Sequence, residues 1–400
     1  MSADSHDPRR VAATLRELPV PDDEAQAHSE QLVTVIRTAI DEAGGVLPFD
    51  HFMHLALYAP GLGYYSAGAR KFGAEGDFVT APELSPLFSR CVARQCVEAL
   101  QQLDGGELLE FGAGSGTMAS DILLELERLG QLPERYLIVE VSADLRQRQQ
   151  QTLQRRAPHL AARVQWLEQL PQAFTGVVLA NEVLDAMPVQ RVRLAGDEMQ
   201  ALGVAWGDDG FYWTPLAHCP APLMKRMKTL RSEYNLGGGY ETEIGLAAEE
   251  WTREIGNWLH RGLVLLFDYG FPRSEFYHPQ RSEGTLMCHY RHRAHGDPLI
   301  LPGLQDITAH VDFTAIAEAA LAGGLEVVGY GNQANFLIGN GLLELAQEAT
   351  DTRQQLEAAA QLKRLMMPGE MGELFKVLAL GRGVAGPWRG FALRDDRFRL

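Results

Sequence analysis

The first feature of the sequence that could do chemistry is a glycine-rich run that follows an acid, Glu110-Phe111-Gly112-Ala113-Gly114-Ser115-Gly116. Apolar residues at 108–111 predict a strand, and residues 118–129 have the apolar spacing of a helix. The glycines therefore connect a strand to a helix N-terminus. Glycine lets the backbone come close to a ligand, and a helix N-terminus offers free N–H groups to a carboxylate or a phosphate. The run predicts a ligand-binding loop.

Two carboxylates narrow the class of ligand. Glu110 precedes the first glycine by two residues, where an acid could bind the ammonium group of an amino acid and would repel a diphosphate. Glu140 ends the next predicted strand, at the spacing where a carboxylate accepts hydrogen bonds from two ribose hydroxyls. We therefore expect a ligand that joins a nucleoside to an amino acid. The residues expected to bind it are Glu110, Gly112, Ala113, Gly114, Gly116, Glu140 and Val141.

A third polar group, Asn181-Glu182-Val183-Leu184-Asp185, follows the predicted strand at 176–180. Ligands of open α/β sheets lie beyond the carboxyl ends of the strands, so we expect Asn181 to contact the same ligand. If the turn is helical, Glu182 and Asp185 both face the crevice, and two carboxylates can bind a guanidinium group. Both are predicted to be catalytic. For Asp185 the alternative is a helix cap or turn residue.

The glycine-rich stretch 59–82 precedes this region, and Asp77 and Thr80 are predicted to close over the ligand from there. Thr80 and Glu83 also have the spacing of a capping box, in which both side chains would bond the start of the next helix. The two interpretations are compatible.

These residues require an α/β fold. Short apolar strands alternate with helical stretches between 108 and 180, and a further apolar strand is predicted at 262–267, so a parallel sheet covered on both faces is expected. Two later strands, near 325–329 and 375–380, are expected to form an antiparallel edge. The predicted units are a flexible N-terminus at 1–25, helices and a covering loop at 26–102, a sheet domain at 103–189 and 260–381, an inserted subdomain at 190–259, and a tail at 382–400.

The segment 270–312 is rich in proline, glycine, histidine and arginine, and is predicted to be a long ordered loop over the site. Its cluster Cys288-His289-Tyr290-Arg291-His292, with His295 beyond it, matches no standard zinc spacing. We therefore expect a structural or substrate-contacting role for residues 288–295 and no bound metal.

Charge and composition exclude several classes of protein. The 400 residues carry a formal net charge of −16, which makes nucleic acid an unfavourable partner. No apolar run is long enough to predict a membrane-spanning helix. The polar first 21 residues predict no secretory signal, and four scattered cysteines are typical of a reducing compartment. The expected location is therefore the cytoplasm.

Long motifs spread between residues 44 and 381 carry a family resemblance. They read GDFVTAPELS at 76–85, EFGAGSG at 110–116, VEVS at 139–142, NEVLDAMPV at 181–189, FDYG at 267–270, GTL at 284–286, DITAHVDF at 306–313 and PGEMG at 368–372. Through these motifs the chain resembles the MidA-like methyltransferases, a family that includes the mitochondrial arginine methyltransferase needed for assembly of respiratory complex I.

The resemblance implies a seven-strand class I (Rossmann-like) methyltransferase fold with N-terminal helices and an inserted β/α subdomain. It implies S-adenosylmethionine as methyl donor, S-adenosylhomocysteine as product, and a protein substrate methylated on arginine. The chain departs from the mitochondrial members by having Asn181 where they have histidine.

Three alternatives remain open at this stage. An NAD(P)-linked oxidoreductase uses a similar glycine loop, although an acid at position 110 is unusual there. An assembly chaperone could bind the cofactor without essential catalysis. A pocket with two acids could also hold a small amine, which would make the chain a small-molecule methyltransferase.

Overall fold

The structure, a computed structural model, describes residues 18–67, 80–196 and 198–400. Its α-helices are α1 Asp23–Glu42, α2 Phe49–Tyr58, α3 Ala81–Leu84, α4 Pro86–Leu103, α5 Thr117–Arg128, α6 Ala143–Arg156, α7 Ala221–Tyr234, α8 Leu246–Trp258, α9 Arg273–Phe276, α10 Phe313–Ala322, α11 Gln333–Gly339, α12 Leu342–Ala346, α13 Thr352–Met366 and α14 Met371–Leu374. Its strands are β1 Leu47–Pro48, β2 Glu107–Phe111, β3 Tyr136–Val139, β4 Val164–Leu167, β5 Phe174–Asn181, β6 Gln190–Ala195, β7 Glu198–Gly207, β8 Gly210–Pro215, β9 Glu241–Ile244, β10 Leu259–Phe271, β11 Met287–Tyr290, β12 Arg293–His295, β13 Asp306–Thr308, β14 Val311–Asp312, β15 Glu326–Asn332 and β16 Phe375–Arg382. Short 3₁₀ turns occur at Ala161–Arg163, Arg389–Phe391 and Arg397–Arg399.

The central sheet confirms the α/β prediction. Seven of its eight strands follow the order β15-β16-β10-β5-β2-β3-β4, and the two-residue β14 pairs with β10 beside this path. Strands β2, β3, β4, β5 and β10 are parallel. The prediction of an antiparallel edge is confirmed only in part. Strand β16 is antiparallel to both of its neighbours but lies inside the sheet. Strand β15 forms the edge and is parallel to the central strands.

Both faces of the central sheet are covered, which explains why β5 and β10 are apolar along most of their length. On one face the strands pack with α4 and α5 through residues such as Phe88, Cys96 and Ile122. On the other face they pack with α8 and α10 through residues such as Trp258 and Phe313. The carboxyl ends of the parallel strands meet at one edge of this covered sheet.

The segment 190–259 forms most of a second sheet, in which β1, β7, β6 and β9 follow one another and β8 pairs with β7. A hairpin connects β7 to β8, since Gly207 pairs with Gly210 across a two-residue turn. This sheet packs on the N-terminal helices, with the rings of Phe49 and Trp213 4.7 Å apart. The division of the chain into separate units stays a prediction.

The segment 270–312, predicted to be a loop, instead contains α9 and four short strands, three of which form a small sheet in the order β12-β11-β13. The prediction was wrong because strands of three or four residues are too short for apolar alternation to be visible. Within the described ranges no helix is both long and apolar enough to cross a membrane.

Candidate functional site

A cavity of about 820 Å³ opens at the carboxyl ends of β2, β3, β5 and β10. Nearly all the predicted site residues line it: Thr80, Glu110, Gly112, Ala113, Gly114, Glu140, Val141, Asn181, Glu182 and Asp185. Gly116 belongs to the same loop but is not part of the lining. Asp77 lies outside the described residues. The tertiary structure therefore brings the three polar motifs of the sequence to one place.

The glycine loop has a left-handed backbone, with φ of +62° at Gly112, +52° at Gly114 and +82° at Gly116. Gly116 caps α5, and a Cβ there would lie 2.9 Å from the Cα of Gln149, so this position needs glycine for packing. A Cβ at Gly114 would meet no atom within 4 Å. Because Gly114 lines the cavity, the open space beside it is available to a ligand.

Glu140, the first residue after β3, is held in place on the cavity wall. Its carboxylate accepts hydrogen bonds from the Ser142 backbone N–H at 2.8 Å and from Gln149 Nε2 at 2.9 Å. Gln149 also donates to the Gly114 carbonyl at 3.1 Å and accepts from Trp166 Nε1 at 2.8 Å. Gln149 thus joins the acid to the glycine loop. Sequence reasoning missed it, because one glutamine in a glutamine-rich helix carries no signal.

Glu110 is fully buried on β2, and Tyr136 donates a hydrogen bond to its carboxylate at 2.8 Å. Burial, with the nearby charge of Glu140, raises the pKa of Glu110 to about 8 even though the Tyr136 hydroxyl acts to lower it. A cation bound next to Glu110 would favour its charged form. The role of Glu110 as the partner of an ammonium group stays a prediction.

The turn after β5 is not helical, so the condition under which Glu182 and Asp185 were expected to share the crevice is not met. Glu182 has a φ of +55°, in the left-handed region that a non-glycine residue rarely adopts, and its N–H bonds the Phe267 carbonyl at 2.9 Å. Glu182 and Asp185 nevertheless both line the cavity, as predicted. Backbone strain of this kind often accompanies functional residues.

Asp268 on β10 is the residue that fixes this turn. It is fully buried and accepts hydrogen bonds from the backbone N–H groups of Leu184 at 3.0 Å and Asp185 at 3.3 Å. Burial and the nearby carboxylates of Asp185 and Glu182 raise the pKa of Asp268 well above its usual range. Sequence reasoning assigned it no role, although it belongs to the FDYG motif.

The pKa values of the two predicted catalytic acids, Glu182 and Asp185, are both raised. Burial, and then the charge of Asp185, raise the pKa of Glu182 to about 8, against hydrogen bonds from Asn181 and the Ala81 backbone that lower it. Burial raises the pKa of Asp185 to about 6, although a hydrogen bond from Tyr269 opposes the shift. Asp185 Oδ1 and Asn181 Oδ1 are buried with no hydrogen-bond partner among the described residues. The turn therefore has unused capacity to bind a cation or a hydrogen-bond donor.

The start of α3 contacts the glycine loop. Thr80 occupies the N-cap position and lines the cavity, but its side chain makes no capping hydrogen bond, so the predicted capping box is absent. Glu83 instead accepts a hydrogen bond from the hydroxyl of Ser115. This contact ties the segment that starts at Thr80 to the loop beneath it.

Comparison with known proteins identifies relatives of this site. Residues 91–331 match the sequence profile of a family described as S-adenosyl-L-methionine-dependent methyltransferases. The protein arginine methyltransferase NDUFAF7 homolog, mitochondrial, of Drosophila melanogaster is 30% identical, over 92% of this chain and 89% of that protein. Protein arginine methyltransferase NDUFAF7, mitochondrial, of Mus musculus is 28% identical, over 88% and 86% of the two chains.

A solved structure is similar along nearly the whole chain. It is that of a Burkholderia thailandensis protein bound to S-adenosyl-homocysteine, with 46% identity and a TM-score of 0.92 over 96% of this chain and 100% of that one.

The predicted cytoplasmic location, by contrast, is contradicted, since the fly, mouse and human relatives are all named mitochondrial.

The cavity fits S-adenosylmethionine, the methyl donor of this family. The buried carboxylate of Glu110 suits its ammonium group, that of Glu140 suits its ribose hydroxyls, and the open space at Gly114 leaves room for its chain. Val141 is 80% exposed although it is apolar, and lines the cavity with the partly exposed Leu170, which suits the faces of an adenine ring.

Gly114→Val should abolish binding of S-adenosylhomocysteine, because its side chain would fill the open space of the cavity. Gly130→Val is a matched control: Gly130 also has a positive φ and open surroundings, but lies outside the cavity lining. Both variants carry similar backbone strain, about 1–3 kcal/mol. Their melting temperatures should therefore fall by similar amounts. Calorimetric titration should find binding only in Gly130→Val. Normal affinity in Gly114→Val would contradict the loop's role.

Glu140→Ala should weaken S-adenosylhomocysteine binding about ten- to a hundredfold, since hydrogen bonds to a charged acceptor are lost. Asp144→Ala serves as control, because Asp144 lies at the start of α6 outside the cavity lining and its replacement removes only a surface ion pair with Arg148. Dissociation constants from calorimetry check this. Equal constants for the two variants would show that Glu140 does not bind the ligand.

Proposed function

The chain belongs to the family of S-adenosyl-L-methionine-dependent methyltransferases, and we propose that it methylates an arginine side chain of a protein substrate. The observation that carries this proposal is a pair of carboxylates in the cavity just after β5, the half-buried Glu182 and the buried Asp185. Two carboxylates match the forked donors of a guanidinium group. The names of the relatives as protein arginine methyltransferases point in the same direction.

The charge of the cavity supports a cationic acceptor. The acidic residues that line it are Glu83, Glu110, Glu140, Glu182, Asp185 and Asp306, whereas Arg364 is the single lysine or arginine among the described lining residues. Arginine keeps its positive charge at every physiological pH. Its guanidinium would be attracted to this excess of carboxylates, and would lower the raised pKa values that they have when no cation is bound.

The two acids have distinct roles in the proposed reaction. When bound, S-adenosylmethionine supplies an electrophilic methyl group on a sulfonium sulfur. Asp185 and Glu182 orient the guanidinium so that one nitrogen faces this methyl group. As the N–C bond forms and the C–S bond breaks, Glu182 takes the proton that the nitrogen loses, acting in the charged form that the bound guanidinium favours. The sulfur leaves as a neutral thioether.

The protein substrate is proposed from the family resemblance. By that resemblance it is a component of a respiratory complex, methylated during assembly of that complex. The acidic chain, with its net charge of −16, is compatible with a partner that presents a basic side chain.

Label from S-adenosylmethionine carrying a radioactive methyl group should appear on arginine when the protein is incubated with cell extract. Hydrolysis of the labelled proteins to amino acids, followed by chromatography, separates methylated arginine from methylated lysine, glutamine and carboxyl groups. Label in small metabolites would indicate a small-molecule methyltransferase. Absence of label, with a client protein still assembled, would favour the chaperone alternative.

Glu182→Gln should lower the rate of methyl transfer about a hundredfold or more while leaving S-adenosylhomocysteine affinity unchanged, because a base and a charge are lost at constant size. In the parent protein kcat/KM should rise with pH up to about 8, since Glu182 acts in its charged form. Initial rates at several pH values measure both effects. The exposed Glu254→Gln on α8 is the control, and full activity in Glu182→Gln would refute the mechanism.

A further inference from the structure

The small sheet β12-β11-β13 has two different faces. Cys288 and Ile307 are fully buried on one face, in the core of the N-terminal helices. On the other face His289 and Asp306 are direct cross-strand neighbours, and both line the cavity. His289 also pairs with Ala294, which is exposed on the edge strand β12. Opposite residues share a face, so the row Ala294, His289, Asp306 runs from solvent to the cavity.

Asp306 lies at the inner end of this row and is only 2% exposed. Its Oδ1 accepts a hydrogen bond from the Tyr65 hydroxyl at 2.9 Å and another from the Ile307 N–H at 3.0 Å. Asp306 and Glu182 both line the cavity, so the two carboxylates face a common space. Asp306 is therefore an oriented carboxylate on the same side of the cavity as the proposed acceptor-binding pair.

Aromatic rings enclose this side of the cavity. Tyr58 and Tyr65 are stacked, with ring centroids 5.6 Å apart, and Tyr269 packs edge-on against His310 at 5.1 Å. Their hydroxyls are engaged: Tyr58 donates to the Ala186 carbonyl at 2.9 Å, and Tyr269 bonds Asp185. The rings thus provide flat surfaces, which favour a planar guanidinium over the compact ammonium of lysine.

A buried acceptor without a partner indicates that these acids face a ligand. Asp185 is 4% exposed, and its Oδ1 has no hydrogen-bond partner among the described residues. Neither Asp185 nor Glu182 forms an ion pair within the described parts of the chain. A buried carboxylate oxygen in this state is costly unless a donor reaches it.

We propose that Asp306 is a third acceptor-binding carboxylate, which together with Glu182 and Asp185 selects arginine over lysine. On this proposal the substrate segment enters across the face of the small sheet, past Ala294 and His289. The inference rests on the proposed arginine methylation and adds to it a carboxylate on the small sheet, outside the turn after β5. The variant Asp306→Asn tests it directly, because the amide oxygen of the new side chain can still accept both hydrogen bonds while the negative charge is lost.

The experiment uses the full chain saturated with S-adenosylhomocysteine and two probes, acetyl-arginine amide and acetyl-lysine amide, titrated by calorimetry at millimolar concentrations. The parent protein should bind the arginine probe more tightly. Asp306→Asn should weaken that binding about tenfold, because an ionic contact is lost, with unchanged S-adenosylhomocysteine affinity. Tyr65→Phe should have a smaller effect, since it removes one hydrogen bond to the carboxylate but keeps the negative charge.

Asp297→Asn is the matched control, because Asp297 precedes the same β13 strand, accepts a bond from the Leu299 N–H and is not part of the cavity lining. Its affinity for the arginine probe should equal that of the parent. Equal affinity in Asp306→Asn, or no preference for arginine by the parent, would overturn the inference. Failure of the arginine methylation itself would be recognised separately, by label on another residue type or by full activity in Glu182→Gln.

Discussion

The hydrogen bonds from the Leu184 and Asp185 backbone to the carboxylate of Asp268 are the constraint on which the site depends. Asp268 sits near the end of β10, which is fixed between β5 and β16 by eight-residue pairings on both sides. Through its two hydrogen bonds the Asp268 carboxylate fixes the turn after β5 to this rigid strand. It holds Asp185 against the cavity and keeps Glu182 in a left-handed conformation that the chain would not adopt by itself.

Around this turn the cavity has two sides of different origin. The donor side is built from neighbouring strands of the central sheet and consists of the glycine loop, Glu110 and Glu140. The acceptor side is built from elements far apart in the chain: α2 and the residues after it, the turn after β5, and β13. The family assignment, and a solved relative that binds S-adenosyl-homocysteine, support the proposal that the first side holds the methyl donor. The acids and aromatic rings of the second are the basis of the proposed acceptor.

Concentrating carboxylates in a cavity lowers the stability of the fold in a pH-dependent way. Glu110 and Glu182 have pKa values raised from 4.5 to about 8, so between these pH values the folded protein binds more protons than the unfolded chain. Their contribution to stability is present below about pH 4.5 and is lost as the pH rises towards 8. A bound cation would restore it, which links ligand binding to folding at neutral pH.

The sequence by itself determined the parts of the protein that are encoded locally. The strand–glycine–helix order predicted the ligand loop, and the positions of Glu110, Glu140 and the Asn181–Asp185 group predicted which side chains would meet, because the ends of parallel strands share one edge of a sheet. Only the tertiary structure decided the rest. Three side chains act through contacts with residues that are distant in sequence: Gln149, Asp268 and Asp306. The inner position of β16 depends on its pairing with β10, a strand more than a hundred residues earlier. Such contacts follow from register and packing of the whole chain, and they leave no periodic pattern around the residues that make them.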